Sequence, residues 1–169
     1  MSSDSVATFE RRAADRRATV ERTTVPEFDR ALADCLAEPA VGVPLPFDGV
    51  SLANHPVEID PSPATLEAAA TGVTPVGPAV AEYGSVVVPS DERGAEAISL
   101  YPETHVAVLA ASDVHASLST ALAEVGEEIA AGLSSAVFAT GPSATADMGA
   151  PVYGVHGPAE LRILLLEDR

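Results

Sequence analysis

Short apolar runs and one long amphipathic segment alternate through the second half of the chain. Strands are predicted at 84–88, 105–110, 135–140 and 161–166, where the chain reads GSVVVP, HVAVLA, SAVFAT and RILLLE. Within residues 112–133, Leu118, Leu122, Val125 and Ile129 recur at helical spacing, and Ser112 is a suitable N-cap. Fully apolar strands that alternate with helices are typical of a parallel sheet buried on both faces. We therefore expect an α/β fold of three layers, a mostly parallel sheet with helices on both faces.

The first half of the chain has a less regular pattern. Residues 4–22 and 26–39 are predicted to form helices, and in the first of them the apolar residues share one face. Closely spaced prolines favour an irregular segment over 39–65, with a short extended piece at Val57–Ile59, followed by a brief helix ending near Gly72. We expect one domain, residues 1–169, with N-terminal helices at 1–38, a proline-rich segment at 39–65 and the α/β core at 72–169.

Charge changes this picture more than any other property of the composition. The net charge is −16, and all nine basic residues are arginine. Six of the arginines lie in residues 1–30, so the rest of the chain has three arginines against nineteen acids. Such a surface repels nucleic acid and anionic membranes, so neither is expected as a partner. An acidic chain without lysine is typical of a halophilic protein, in which concentrated cations screen the repulsion; the alternative is an ordinary acidic protein.

Several classes of chemistry are excluded or disfavoured by the residues present. The N-terminus has no hydrophobic signal core, and no apolar run is long enough to span a bilayer, so a cytoplasmic protein is expected. Cys35 is the single cysteine, which favours a buried core thiol over a disulfide or a cluster ligand. The four histidines lack metal-site spacing, phosphate-loop and dinucleotide motifs are missing, and without lysine there is no Schiff-base chemistry. We therefore predict no metal site and no cofactor bound by this chain alone.

Two segments flank predicted strands and contain polar residues suited to a ligand site. The first is residues 72–89, with Glu82 just before a strand, and the second is TGPSATAD at 140–147, just after one. In the second, the turn at Gly141–Pro142 is expected to leave backbone N–H groups of residues 143–145 free for an anion. Both segments also fit a purely structural role, since Ser, Thr and Asp commonly cap helices. His156 fits a turn residue, and His105 fits a satisfied core histidine better than a ligand.

Three blocks resemble the lactate-utilisation protein C family (LutC, also called YkgG), which is built on the LUD domain. They are AVAEYGSVVV (79–88), LYPETHVAVL (100–109) and TGPSATADMGAPVYGVHGPAELRILLLED (140–168). The resemblance covers about Gly72 to Asp168. It implies an α/β fold related to the sugar-phosphate isomerase and coenzyme A transferase group. It also implies a part in oxidising lactate to pyruvate, alongside iron–sulfur partner proteins that carry the clusters.

The resemblance also implies a pocket for a small anionic metabolite or cofactor. Glu82 and Asp147 are its implied catalytic residues, and the implied ligand-binding residues are Thr74, Tyr83, Gly84, Ser85, Gly141, Pro142, Ser143, Thr145, His156 and Gly157. The two turns of the last block are expected to form opposite walls of this pocket. The chain departs from the family at Ala144, where many members have arginine, and at Tyr83 and Gly149. An arginine at 144 would be an obvious clamp for a carboxylate or phosphate.

Three functions are compatible with these residues. The first is a subunit of an L-lactate-oxidising system, either catalytic, with Glu82 or Asp147 as general base, or accessory; partners would supply the redox chemistry in both cases. The second is a non-catalytic module for metabolite binding or assembly. The third, a freestanding sugar-phosphate isomerase, rests on fold analogy alone.

Overall fold

A computed structural model of the protein describes residues 3–169 and has alternating strands and helices along most of its length. The helices are α1 (Ser3–Asp15), α2 (Phe28–Cys35), α3 (Pro63–Ala68), α4 (Ala95–Leu100) and α5 (Leu118–Ala130). The strands are β1 (Thr19–Thr23), β2 (Ala40–Gly42), β3 (Val57–Ile59), β4 (Thr71–Val76), β5 (Ala79–Val80), β6 (Ser85–Pro89), β7 (Thr104–Ala110), β8 (Val114–His115), β9 (Ala136–Ala139), β10 (Ala144–Asp147), β11 (Ala150–Tyr153) and β12 (Glu160–Leu166).

A parallel sheet of six strands forms the centre of the molecule. Its strand order is β1-β12-β7-β4-β2-β3, and every neighbouring pair is parallel. Two adjacent inner strands, β12 and β7, are paired along their whole length, from Glu160 opposite Thr104 to Leu166 opposite Ala110. Their apolar sequences are explained by this position, because strands buried on both faces have no polar side.

Alternate residues of the central strands enter two separate hydrophobic clusters, one on each face of the sheet. Val106 and Val108 of β7 pack with α2, whereas Ala107 and Leu109 pack with α1 and α4. Cys35 of α2 is buried in the first cluster, and burial raises the pKa of its thiol. The predicted class, a three-layer α/β fold with a mostly parallel sheet covered on both faces, is confirmed.

A second sheet, which the sequence did not predict, packs in the layer that contains α1. Its order is β8-β5-β6-β9, with antiparallel pairs on both sides of β6 and a parallel pair between β5 and β8. β10 and β11 form a separate antiparallel hairpin. The predicted strands at 84–88 and 135–140 therefore belong to this second sheet, while those at 105–110 and 161–166 belong to the parallel sheet.

Three predicted helices have different bounds in the structure. The helix predicted over 4–22 ends at Asp15, and residues 19–23 form strand β1, because Thr19–Thr23 pairs with Arg162–Leu166. The helix predicted over 26–39 is a 3₁₀ turn followed by α2 and ends at Cys35. The helix predicted near 113–132 begins at Leu118, where the Ser117 side chain, not that of Ser112, accepts the capping hydrogen bond.

Two further elements were missed near the start of the α/β core. The brief helix predicted to end near Gly72 ends at Ala68, and Thr71–Val76 is strand β4, which lies between β2 and β7. Residues 40–42, predicted as irregular, form β2, whereas the extended piece at Val57–Ile59 is confirmed as β3. Within the described residues, 3–169, no helix has the length and hydropathy needed to cross a membrane.

Candidate functional site

A cavity of about 290 Å³ lies where β9 ends and the last strand of the parallel sheet begins. Its polar side chains carry hydroxyl and imidazole groups, and no Asp, Glu or Arg of the described residues lines it. The residues around it are Ser99, Leu100, His105, Val137, Phe138, Ala139, Thr140, Gly141, Pro142, Ser143, His156, Gly157, Pro158 and Leu161. Because His105 and Leu161 stand at the beginnings of β7 and β12, the cavity lies at the amino edge of the parallel sheet. Strand β9 contributes its carboxyl end to the cavity, where the turn at Gly141 follows.

The two turns of the C-terminal block meet at this cavity. The backbone N–H of Ser143 donates to the carbonyl oxygen of Pro158 at 2.8 Å, and Gly154 N–H donates to Ser143 O at 3.0 Å. Gly157 packs closely on Ser143: a Cβ added at Gly157 would lie 3.0 Å from the Cβ of Ser143. The residues of both turns line one cavity, as expected. The expected free N–H group at Ser143 is not found, because Pro158 accepts its hydrogen bond.

His105 gives the cavity a buried imidazole. The side chain is 1% exposed, and its Nε2 lies 2.9 Å from the hydroxyl oxygen of Thr74, which is itself buried. Removal from water lowers the pKa of His105 to about 4, since burial penalises the charged ring. At neutral pH the cavity is therefore lined by a neutral ring. The contact with Thr74 agrees with the interpretation of His105 as a core histidine, and His105 also lines the cavity.

Acidification is expected to weaken the fold through His105. Its pKa is 6.5 when unperturbed and about 4 in the folded protein, so between these values the unfolded chain binds the extra proton. The contribution of His105 to the free energy of unfolding is therefore fully present above pH 6.5. It is lost as the pH falls toward 4, by about 3 kcal/mol in total. Urea unfolding at a series of pH values measures this loss.

The matched control for this measurement is His105→Gln, which keeps a polar group near Thr74 but does not titrate. Subtracting its pH profile from that of the unmodified protein removes the contribution of every other acid and histidine. A difference that stays constant from pH 7 to pH 4.5 would show that His105 is not held neutral by burial.

Five of the residues implied by the family resemblance line the cavity: Gly141, Pro142, Ser143, His156 and Gly157. Two others stand directly behind it. The Thr74 hydroxyl is hydrogen-bonded to His105, which lines the cavity. The Ser85 hydroxyl lies 2.7 Å from the hydroxyl of Thr140, which also lines the cavity. Thr74 and Ser85 therefore reach a ligand only through the residues they position.

The remaining implied residues are not brought to the cavity. The Glu82 carboxylate accepts a hydrogen bond of 2.7 Å from the backbone N–H of Leu118, the first residue of α5, a position that suits a negative charge. Thr145 and Asp147 lie on the exposed hairpin, Tyr83 is 47% exposed, and Gly84 packs against the backbone of α1. The expected convergence of Glu82, Thr145 and Asp147 on this crevice is not found, and their roles stay predictions.

Sequence reasoning missed several lining residues, chiefly Ser99, Leu100, Phe138 and Thr140. Thr140 was within reach, since it directly precedes the Gly141 turn. Ser99 and Leu100 belong to α4, which no sequence pattern had predicted, so nothing in the sequence connected them with the site. Among the described residues, no group of three or more His, Cys, Asp or Glu side chains is arranged to hold a metal ion.

The fold and the site together define an α/β protein whose uncharged cavity is built by two adjoining turns. Residues 61–166 match the LUD domain, more than half of the chain, so the protein belongs to the LUD-domain family. The match contains every residue that lines the cavity. It begins earlier than the resemblance at Gly72 on which the sequence-based prediction rested.

Curated relatives share about a third of the matched residues. Lactate utilization protein C from Bacillus licheniformis is 36% identical over 107 residues, which cover 61% of this chain and 45% of that protein. The proteins of the same name from a Geobacillus species and from Bacillus subtilis are 35% and 34% identical over 107 residues. The chain thus matches a little under half the length of each of these relatives.

A solved structure supports the fold over the whole chain. The crystal structure of a DUF162 family protein from Deinococcus radiodurans, at 1.70 Å resolution, superposes with a TM-score of 0.78 and 21% sequence identity. The likeness covers 99% of both chains. It therefore extends over residues 3–60, which lie outside the family match.

Proposed function

We propose that this protein is a component of a lactate-utilisation system that oxidises L-lactate to pyruvate together with iron–sulfur partner proteins. One observation carries the proposal: the match to the LUD domain, residues 61–166, includes both turns and all other residues that line the cavity, and lactate utilization protein C is similar to the chain over a stretch of comparable length. The role of the chain in this system is to bind a small anionic metabolite or cofactor in that cavity.

The residues of the cavity suit positioning better than electron transfer. Oxidation of lactate to pyruvate releases two electrons and two protons. The chain has only one cysteine, Cys35, which is buried, and one cysteine cannot hold an iron–sulfur cluster. The partner proteins would accept the electrons. The hydroxyl of Ser143, the ring of His156 and the neutral ring of His105 would orient the hydroxyl and carbonyl groups of the bound acid.

Growth on lactate tests the proposal and separates two assignments of the essential residues. In a strain lacking the protein, Ser143→Ala and His156→Gln should fail to restore growth on lactate, because both side chains line the cavity. The sequence-based assignment predicts the same failure for Glu82→Gln and Asp147→Asn, with folding intact. Purified variants should melt as the unmodified protein does.

Glu92→Gln provides the control, since it removes an acid from an exposed turn remote from the cavity residues. A tagged chain isolated from lactate-grown cells should also bring iron–sulfur proteins with it. Undiminished growth on lactate in the strain that lacks the protein would refute the proposed function. Growth restored by Ser143→Ala and His156→Gln would refute the role of the cavity.

A second function has one specific observation in its favour. No carboxylate lines the cavity, so neither acid predicted as a general base is placed where a bound acid would lose its proton. A metabolite-binding or assembly module without chemistry needs no such base. Retention of a ligand by the purified protein, with no turnover when iron–sulfur partners are added, would favour this module over a catalytic subunit.

A further inference from the structure

A second and larger cavity adjoins the first and differs from it in charge. Its volume is about 430 Å³, and it shares Pro142 and Leu161 with the first cavity. The rest of its lining is Arg17, Thr19, Tyr153, Ala159, Glu160 and Arg162. It thus has two guanidinium groups and one carboxylate, a local positive excess in a protein with a net charge of −16.

The two arginines of this cavity are held in different ways. Arg162 forms an ion pair of 3.0 Å with Glu160. The guanidinium of Arg17 instead lies 4.5 Å above the ring of Tyr153 and, among residues 4–169, is within ion-pair distance of no carboxylate. Stacking uses the flat face of a guanidinium and leaves its N–H donors, which point outward in the plane, available to an oxyanion.

The backbone at Arg17 indicates that the fold itself does not require an arginine there. Arg17 has φ 68° and follows the end of α1; its N–H donates to Ala14 O and that of Ala18 donates to Ala13 O. This is the left-handed helix cap at which glycine is strongly preferred. The Arg17 side chain is therefore present at a position where replacement by glycine would relieve backbone strain.

The position of this turn is fixed relative to the first cavity. The carbonyl oxygen of Arg16 packs directly on Gly141, which leaves no room for a Cβ there. Gly141 also lines the first cavity, so the end of α1 and the turn at Gly141–Ser143 form one unit. Arg17 thus lies beside the predicted ligand site, although it belongs to the N-terminal segment outside the LUD-domain match at residues 61–166.

We propose that Arg17 binds an oxyanion, a carboxylate or a phosphate, of a ligand whose uncharged part occupies the neighbouring cavity. Cavities of roughly 300–1,000 Å³ hold cofactor-sized molecules, and the two cavities together fall in that range, well beyond what lactate fills. The inference deepens the proposed function, since it assigns the anion-binding group of the same ligand, but the binding of an anion is measurable without lactate metabolism.

The test compares Arg17→Gly with the unmodified chain and with Arg11→Ala, which removes the same charge from the exposed surface of α1. Inorganic phosphate and L-lactate are titrated separately, and binding is followed by NMR shifts of the Gly141 and Tyr153 amides. Arg17→Gly should weaken binding by about tenfold or more, since a lost charge-assisted hydrogen bond has that effect. Its melting temperature should equal or exceed that of the unmodified protein.

Each outcome bears on the inference. Phosphate binding lost in Arg17→Gly would indicate a cofactor phosphate, lactate binding lost would indicate a metabolite carboxylate, and either supports the site. Unchanged binding in Arg17→Gly, equal loss in Arg11→Ala, or no binding of either anion by the unmodified chain would overturn it. So would a lower melting temperature in Arg17→Gly, since Arg17 would then have a structural role. Phosphate binding through Arg17, with normal lactate growth in the deletion strain, would uphold this inference and refute the proposed function.

Discussion

Gly141→Ala is expected to destabilise the protein by about 3 kcal/mol, through a left-handed backbone and a steric clash together. Gly141 has φ 74°, which disfavours any residue with a Cβ, and the added methyl would overlap the carbonyl oxygen of Arg16. The turn at Gly141–Ser143 and the end of α1 would have to separate. For a chain of this length we expect the melting temperature to fall by about 6–12 °C.

The same substitution at Gly126 is the matched control. Gly126 lies inside α5, and a Cβ built there meets no described atom within 4 Å beyond its chain neighbours and the backbone of its own helix. Alanine is the better helix former, so Gly126→Ala should stabilise the protein by about 0.5–1 kcal/mol. If Gly141→Ala melts at the temperature of the unmodified protein, the close packing between α1 and this turn is wrong.

The second large effect concerns salt. We expect the protein to be largely unfolded in dilute buffer and folded in multimolar KCl, because its carboxylates repel one another and the chain offers few cations to offset them. Beyond residue 30 there are nineteen acids and three arginines. Among residues 4–169, the arginines in ion pairs are Arg12, Arg22 and Arg162. Circular dichroism across a KCl series measures the transition.

A variant with less repulsion distinguishes this mechanism from a general effect of salt on hydrophobic burial. Replacing Glu58, Glu92 and Glu127, all exposed, by glutamine removes three negative charges without touching either core cluster. This variant should fold at a lower KCl concentration. A melting temperature that is the same in dilute buffer and in multimolar KCl would refute the halophilic interpretation of the composition.

Strands that are apolar throughout could be predicted from the sequence, whereas strands defined by their neighbours could not. The run at 105–110 is unambiguous because β7 is buried on both faces. Thr19–Thr23 is mixed in polarity and continues the helical spacing of α1; it forms a strand only because β12 pairs with it. The residue that ends the helix, Arg17, adopts the left-handed conformation without being a glycine, so no sequence signal marks the boundary.

β4 was missed for a different physical reason. Gly72 and Pro75 are both disfavoured inside strands, and the sequence analysis predicted no strand here, only a brief helix ending near Gly72. The proline is tolerated because β2 pairs with residues 71–73 only, so that β4 has no partner on that side at Pro75. Gly72 is needed because a Cβ would overlap the carbonyl oxygen of Ile98 in α4. Both explanations depend on neighbours that lie far away in the sequence.

The candidate site was predictable where one local block builds it. The Gly141–Ser143 and His156–Gly157 turns are close in sequence, and both line the cavity. Glu82 and Asp147 were singled out by their place beside predicted strands and then by the family resemblance, whereas the structure gives Glu82 a bond to the start of α5 and places Asp147 on an exposed hairpin. Arg17 could not be connected with the site at all, because only the packing of Arg16 on Gly141 brings it there.

The strand order of the parallel sheet also bears on how the protein emerges from the ribosome. Of the strands described in residues 3–169, β1 is made first, and the strand that pairs with it in the sheet is β12, which is complete at Leu166. Translation at roughly 5–20 residues per second leaves β1 waiting on the order of ten seconds for its partner. During that interval the nascent chain presents an unpaired strand, and the pocket formed by Arg17 and the later turns does not exist. If the proposed ligand site is correct, the chain can bind its ligand only after β12 has been synthesised.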